Sequence, residues 1–191
     1  MQDLIQCALE ESYNALEALR RDDTTLAAIA SAGEVLATSL KSGGRVFSCG
    51  NGGSMCDAMH FAEELSGRYR EDRPALAAQA ISDPGHLSCV ANDYGYERVF
   101  ARYVEAHGRA GDVLVAISTS GSSANVMRAA EEARARGLQV IALTGRPGSP
   151  IGQLADVDVC TPAGRYADRV QELHIKVIHI LIEIIERRLF S

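Results

Sequence analysis

Two short segments carry residue types suited to holding an anion: Cys49-Gly50-Asn51-Gly52-Gly53-Ser54 and Ser118-Thr119-Ser120-Gly121-Ser122-Ser123. Glycines let a backbone approach a ligand closely. A helix N-terminus behind such a loop adds free N–H groups and the positive end of its dipole. The five hydroxyls of the second segment add neutral donors suited to phosphate oxygens. The first segment lacks the lysine of a nucleoside-triphosphate loop, and its glycines miss the GxGxxG spacing of dinucleotide binders. A phosphate on a small molecule is the ligand these loops suggest, with no nucleotide cofactor. The plainer alternative makes Ser54 and Ser123 helix caps and the glycines turn residues. Two such loops in succession favour a phosphosugar site.

The titratable residues fall on two helical segments. His60 and Glu64 are four apart and share a face. That spacing suits two ligands on one metal, an acid and a base beside one substrate, or a simple surface pair. The last segment carries Asp168, Gln171, His174, Lys176 and His179, and the run Val177–Ile182 sets His179 among apolar residues. A lone histidine there is more often a satisfied core residue than a catalyst, and periodicity leaves both open. His174 and His86 are expected to be structural or on the surface. Asn92-Asp93 before Tyr94-Gly95 is turn chemistry, so Asp93 is either a turn residue or a contact to sugar hydroxyls.

The elements that must position these groups are legible from periodicity. Residues 4–19 and 26–40 read as helices, divided by Asp22-Asp23-Thr24 as an N-cap region, with Gly43-Gly44 ending the second. Strands are expected over 45–49, 76–81, 113–117, 139–143 and 157–160. Helices are expected over 54–67, 84–91, 96–107, 123–136 and 168–189. Gly145–Pro150 reads as a loop. This alternation predicts an α/β fold: a three-layer αβα sandwich around a five-stranded parallel sheet, with flavodoxin-like or Rossmann-like topology. One domain spans 1–191, with N-terminal helices over 1–42, the α/β core over 43–165 and a long final helix over 168–189. Both loops then lie beyond carboxyl ends of strands, where open parallel sheets bind ligands.

A net charge of −6, no tryptophan and 5% aromatics argue against a nucleic-acid partner. Five cysteines without a CxxC pair argue against a disulfide framework or a four-thiolate zinc site, and free thiols fit a cytoplasmic location. No basic region leads into an apolar run after Met1, so no signal peptide is expected. The longest apolar stretch is broken by Lys176, His179, Glu183 and Glu186, so no membrane span is expected.

The motifs Gly50-Asn51-Gly52-Gly53-Ser54 and Ser118-Thr119-Ser120-Gly121 resemble those of the sugar isomerase (SIS) domain family. Three further runs carry a closer resemblance to its phosphoheptose isomerase branch: Asp57–Leu65 with Gly67–Arg70, Ala91–Gly95, and Asp168–His179. The resemblance spans essentially the whole chain. It implies a homotetramer with active sites near subunit interfaces. The implied reaction is aldose–ketose isomerisation of sedoheptulose 7-phosphate to D-glycero-D-manno-heptose 7-phosphate through an enediol, the first step toward the heptose of lipopolysaccharide. It assigns acid/base catalysis to Glu64 and His179. It assigns substrate contacts to Asn51, Gly52, Gly53, Ser54, Glu64, Arg68, Asn92, Asp93, Ser118, Thr119, Ser120, Ser123, Asp168 and Gln171. In some members zinc sits on the positions matching His60, Glu64, Gln171 and His179, which implies one ion per subunit. Met55 departs from the family pattern, where a small or polar residue is expected. Gln171 and His179 are eight apart, about 12 Å along a helix, so two copies of the helix would have to share one site. Two other readings stay open: a non-catalytic SIS-domain protein that binds a replication initiator or senses phosphosugars, and an isomerase of another sugar phosphate.

Overall fold

Strands covered on both faces need apolar residues at every position rather than at alternate ones. Every residue of β1 (Val46–Cys49) and β3 (Val113–Ser118) is buried. In the computed structural model, which describes residues 1–190, these strands join β2 (Ala78–Ala80), β4 (Gln139–Thr144) and β5 (Val157–Cys160). The sheet is parallel throughout, in the order β2-β1-β3-β4-β5. This is the flavodoxin-like order, and its topological switch point lies between β1 and β3. Their register, Val46 opposite Val113, brings the ends of the two strands together.

The helices are α1 (Gln2–Arg21), α2 (Asp23–Lys41), α3 (Gly53–Ser66), α4 (Pro84–Tyr94), α5 (Val99–His107), α6 (Ala124–Ala135), α7 (Pro150–Leu154) and α8 (Ala167–Phe190), with a 3₁₀ turn over Tyr96–Arg98. One face of the sheet packs Val115 and Ile117 against Leu36 of α2, Phe61 and Leu65 of α3, and Val177 and Leu181 of α8. The other packs Phe47 and Leu114 against Phe100 of α5 and Val126 and Ala130 of α6. The expected three layers are present. Among the described residues no helix is long and apolar enough to cross a membrane. α1 buries only Leu19 and leaves Leu4, Ile5, Leu9 and Tyr13 exposed.

Several boundaries differ from the sequence expectation, each for a local reason. Asp22 caps α2 by accepting from the Thr24 and Thr25 amides at 3.1 and 3.3 Å, so the helix starts three residues earlier than periodicity suggests. β2 is shorter than 76–81 because the Leu76 amide donates to the Leu65 carbonyl instead of to the sheet. α4, opened by Asp83 and Pro84, runs on to Tyr94, so Asn92 and Asp93 are helical and the turn comes at Gly95. The end of the expected Gly145–Pro150 loop becomes the first turn of α7, capped by Ser149.

His174 is fully buried. Its Nε2 lies 3.2 Å from the Thr144 carbonyl, and Nδ1 has no partner among the described residues. Burial pushes its pKa down to about 4, because the charged form loses its hydration. The unfolded chain, with an ordinary imidazole near 6.5, then binds more protons between pH 6.5 and 4, so stability falls as pH drops through that window. The penalty reaches about 2 kcal/mol by pH 5. Asp57 is pushed up to about 6 by burial and acts in the opposite sense below pH 6, so the comparison must be with a variant. His174→Leu should flatten the fall of the melting temperature between pH 7 and 5. An unchanged slope would show that another group titrates.

Candidate active site

The two anion loops meet at the switch point. α3 begins directly after β1 with Gly52 at its N-cap (φ 56°) and no side-chain cap. Ser54 is therefore not the cap; it is buried inside the first turn. Gly53 sits under the Gln171 side chain of α8, and a Cβ there would lie 2.6 Å from the Gln171 amide nitrogen. A side chain at Gly53 would displace the Gln171 amide from this position. Asn51 exchanges two hydrogen bonds of 2.8 Å with Asn125 of α6 and accepts one from the Tyr96 hydroxyl at 3.2 Å. Its amide is committed to tying one loop to the other.

At the end of β3, Ser118 is buried, and its hydroxyl lies 3.1 Å from that of Ser123 and 3.4 Å from that of Ser120. Ser123 occupies the N-cap of α6, yet its side chain does not cap the helix. The hydroxyls satisfy one another, so an arriving phosphate can redirect them. The cap reading of the sequence thus fails for both serines, and the anion reading is the one this geometry suits.

A second cluster lies further along α3 and α8. His60 Nε2 stands between Glu64 Oε1 at 3.2 Å and His179 Nε2 at 3.5 Å. The Tyr69 ring packs beside His179, with centroids 5.7 Å apart. His179 is thus partly exposed at a polar junction and is not a core histidine. Desolvation first, and then the neighbouring His60, depress its pKa, so it is neutral near pH 7. The Glu64 side chain keeps 18% of its exposure, enough contact with solvent to exchange a proton.

Gln171 sits at the Gly53 end of α8, two turns before His179, so within one chain the four residues expected to share a metal do not stand together. The other expected residues lie outside both clusters. Arg68 is exposed just after α3. Asn92 donates to Asp93 at 2.8 Å on the exposed last turn of α4. Asp168 accepts from the Arg169 amide at 2.9 Å in the first turn of α8. Met55 packs against the second core cluster, which explains its apolar character.

Sequence reasoning missed three supports. Asn125 is buried, and its signal was an amide among the apolar residues that open α6. Tyr96 braces Asn51. Arg73, with a side chain only 5% exposed, donates to the carbonyls of Glu64 at 2.6 Å and Leu65 at 2.7 Å and pairs with Glu186 at 2.9 Å. It caps the open end of the helix that carries Glu64. A single arginine in a polar loop gave no periodic signal for this.

These features suit an α/β protein that binds a phosphosugar. Residues 10–145 match the family described as the SIS domain. The chain is 57% identical over 190 residues to the phosphoheptose isomerase of Edwardsiella ictaluri, covering 100% of this chain and 98% of that one. The enzyme of the same name from Aeromonas hydrophila is 58% identical over 98% of each chain. The solved phosphoheptose isomerase from Neisseria gonorrhoeae superposes with a TM-score of 0.90 at 40% identity, covering 97% of this chain and 98% of that one. The chain belongs to the SIS-domain family and, within it, to the phosphoheptose isomerases.

Proposed function

We propose that this chain isomerises sedoheptulose 7-phosphate to D-glycero-D-manno-heptose 7-phosphate, with Glu64 and His179 as its acid/base pair. The observation that carries the reading is the junction of Glu64, His60 and His179, built on α8 and on α3, the helix that the first anion loop opens. A phosphosugar sensor would need the loops and not the junction.

The reaction moves one carbon-bound proton and two oxygen-bound protons. Glu64 takes a proton from C1, and the C–H electron pair becomes the C1=C2 bond of an enediol as the C2 carbonyl oxygen gains a proton. Glu64 then returns a proton to C2 while the C1 hydroxyl loses its own, leaving the aldehyde. His179, neutral and able to donate or accept, manages the oxygen protons. The hydroxyl cluster and the start of α6 hold the phosphate at a distance from this chemistry and fix which carbons reach Glu64.

The cluster also suits a divalent metal. The ligand atoms of His60, Glu64 and His179 lie within 4.8 Å of one another, and two imidazoles with one carboxylate form a zinc-type donor set. Zinc there would polarise the substrate carbonyl. Gln171 of the same chain is engaged at Gly53, so a fourth donor from that position would come from a second copy of α8. The exposed apolar face of α1 suits the same assembly, a tetramer of two-fold symmetry with shared sites. The product would enter lipopolysaccharide heptose synthesis in the cytoplasm.

Incubation with sedoheptulose 7-phosphate, followed by NMR, should reveal the aldose. No conversion, with the protein folded and assembled, would refute the assignment. His60→Ala should lower bound zinc, measured by elemental analysis, and activity together. Full activity after exhaustive chelation would remove zinc from the mechanism.

A further inference from the structure

Beside the hydroxyl loop lies a cleft of about 350 Å³ that the acid/base chemistry does not use. Thr119 and Ser120 form one wall. The opposite walls come from Arg146, after β4, and from the strap before α8 that carries Arg165. No carboxylate lines it, in a chain whose net charge is −6. Neither arginine forms an ion pair among the described residues, whereas Arg70, Arg73 and Arg169 all do. The Arg165 guanidinium rests over the Tyr166 ring, 5.4 Å from its centroid, which restrains it without neutralising it.

The positions of the two arginines follow from the packing around them. The Gly145 amide donates to the Thr119 carbonyl at 3.1 Å, and a Cβ on Gly145 would lie 2.7 Å from that oxygen and from Val170. The loop after β4 is thus pressed against the hydroxyl loop, and Arg146 follows at once. Behind the strap, Ala163 and Val170 are buried and fix both of its ends to the core. Two unpaired positive charges therefore flank a concave, partly enclosed path that ends at Thr119 and Ser120. Low-dielectric walls focus such a field.

We propose that Arg146 and Arg165 form an electrostatic docking subsite for a phosphate dianion, which collects the substrate's phosphate and delivers it to the hydroxyl loop. The inference rests on the phosphosugar reading of that loop, but its test does not require turnover. The hydroxyls supply short, neutral, directional bonds. The guanidiniums supply the long-range attraction that neutral donors lack.

The probe is inorganic phosphate, titrated by calorimetry into the full-length protein at low salt and again at about 0.5 M salt. Arg146→Gln/Arg165→Gln should weaken binding about tenfold at low salt. The difference from wild type should shrink at high salt, where charges are screened over a few ångströms. Arg146→Lys/Arg165→Lys, which keeps both charges, should retain most of the affinity; this separates loss of charge from damage to the cleft. Unchanged affinity in the glutamine variant would overturn the subsite, as would equal loss in the lysine variant or no phosphate binding by wild type. A change only in assembly mass would mean instead that the arginines pair with another copy of the chain, and would overturn it too. If the phosphate effect holds but sedoheptulose 7-phosphate is not converted, the isomerase reading falls and the anion subsite stands.

Discussion

Glu64→Gln should leave a folded, assembled protein that binds sugar phosphate and loses about 10⁴-fold in turnover, the upper end for removal of a general base. The amide preserves shape and can still face His60, whose Nε2 lies 3.2 Å from Glu64 Oε1 in the wild type. The N-terminus of α3 at Gly53 and the hydroxyl cluster at Ser118–Ser123 are far along the chain from the change, so phosphate affinity should hardly move. What the amide cannot do is accept the C1 proton. Turnover per folded protein, with folding checked by melting and affinity by calorimetry, is the readout. Near-normal turnover would place the base elsewhere.

The second large effect is expected at His179. A glutamine of similar size should keep the packing against Tyr69, while turnover falls by about 10² to 10⁴. Substrate affinity should change far less. The wild-type pH profile carries a matching signature. The depressed imidazole pKa keeps His179 neutral to lower pH than an ordinary histidine, so the acid limb should lie below the usual imidazole value near 6.5 and should disappear in the variant. Wild-type turnover in a well-folded His179→Gln protein would return this residue to a structural role.

Much of this site was legible because the sheet dictates it. Runs such as Val113–Ile117 can only be strands covered on both faces, and once β1 and β3 are adjacent the loops after them must meet. The i,i+4 spacing of His60 and Glu64 gave their shared face. Periodicity could not place His179, because its neighbours in sequence are apolar while its neighbours in space are His60 and Tyr69. It left His174 between a structural and a surface role for the same reason, since a histidine under Thr144 and one beside Glu64 look alike in a helical repeat; burial under Thr144 makes it structural. Asn92-Asp93 misled as turn chemistry because a strong start at Asp83-Pro84 and a glycine stop at Gly95 outweigh weak interior propensity. The Asn51–Asn125 pair and the Arg73 clamp join residues 74 and 9 positions apart, and no single-chain pattern links them.

The central claim, that a carbon-bound hydrogen leaves as a proton to the Glu64 carboxylate, is tested most directly by running the conversion in D₂O and reading the product by NMR. Glu64 keeps solvent contact through its 18% exposed side chain, so a proton it holds can exchange before return. The account predicts deuterium at C2 of the aldose and its gradual appearance at C1 of the remaining ketose. An aldose formed at full rate with only hydrogen at C2 would show that the hydrogen never rests on a group in exchange with solvent, and would contradict it.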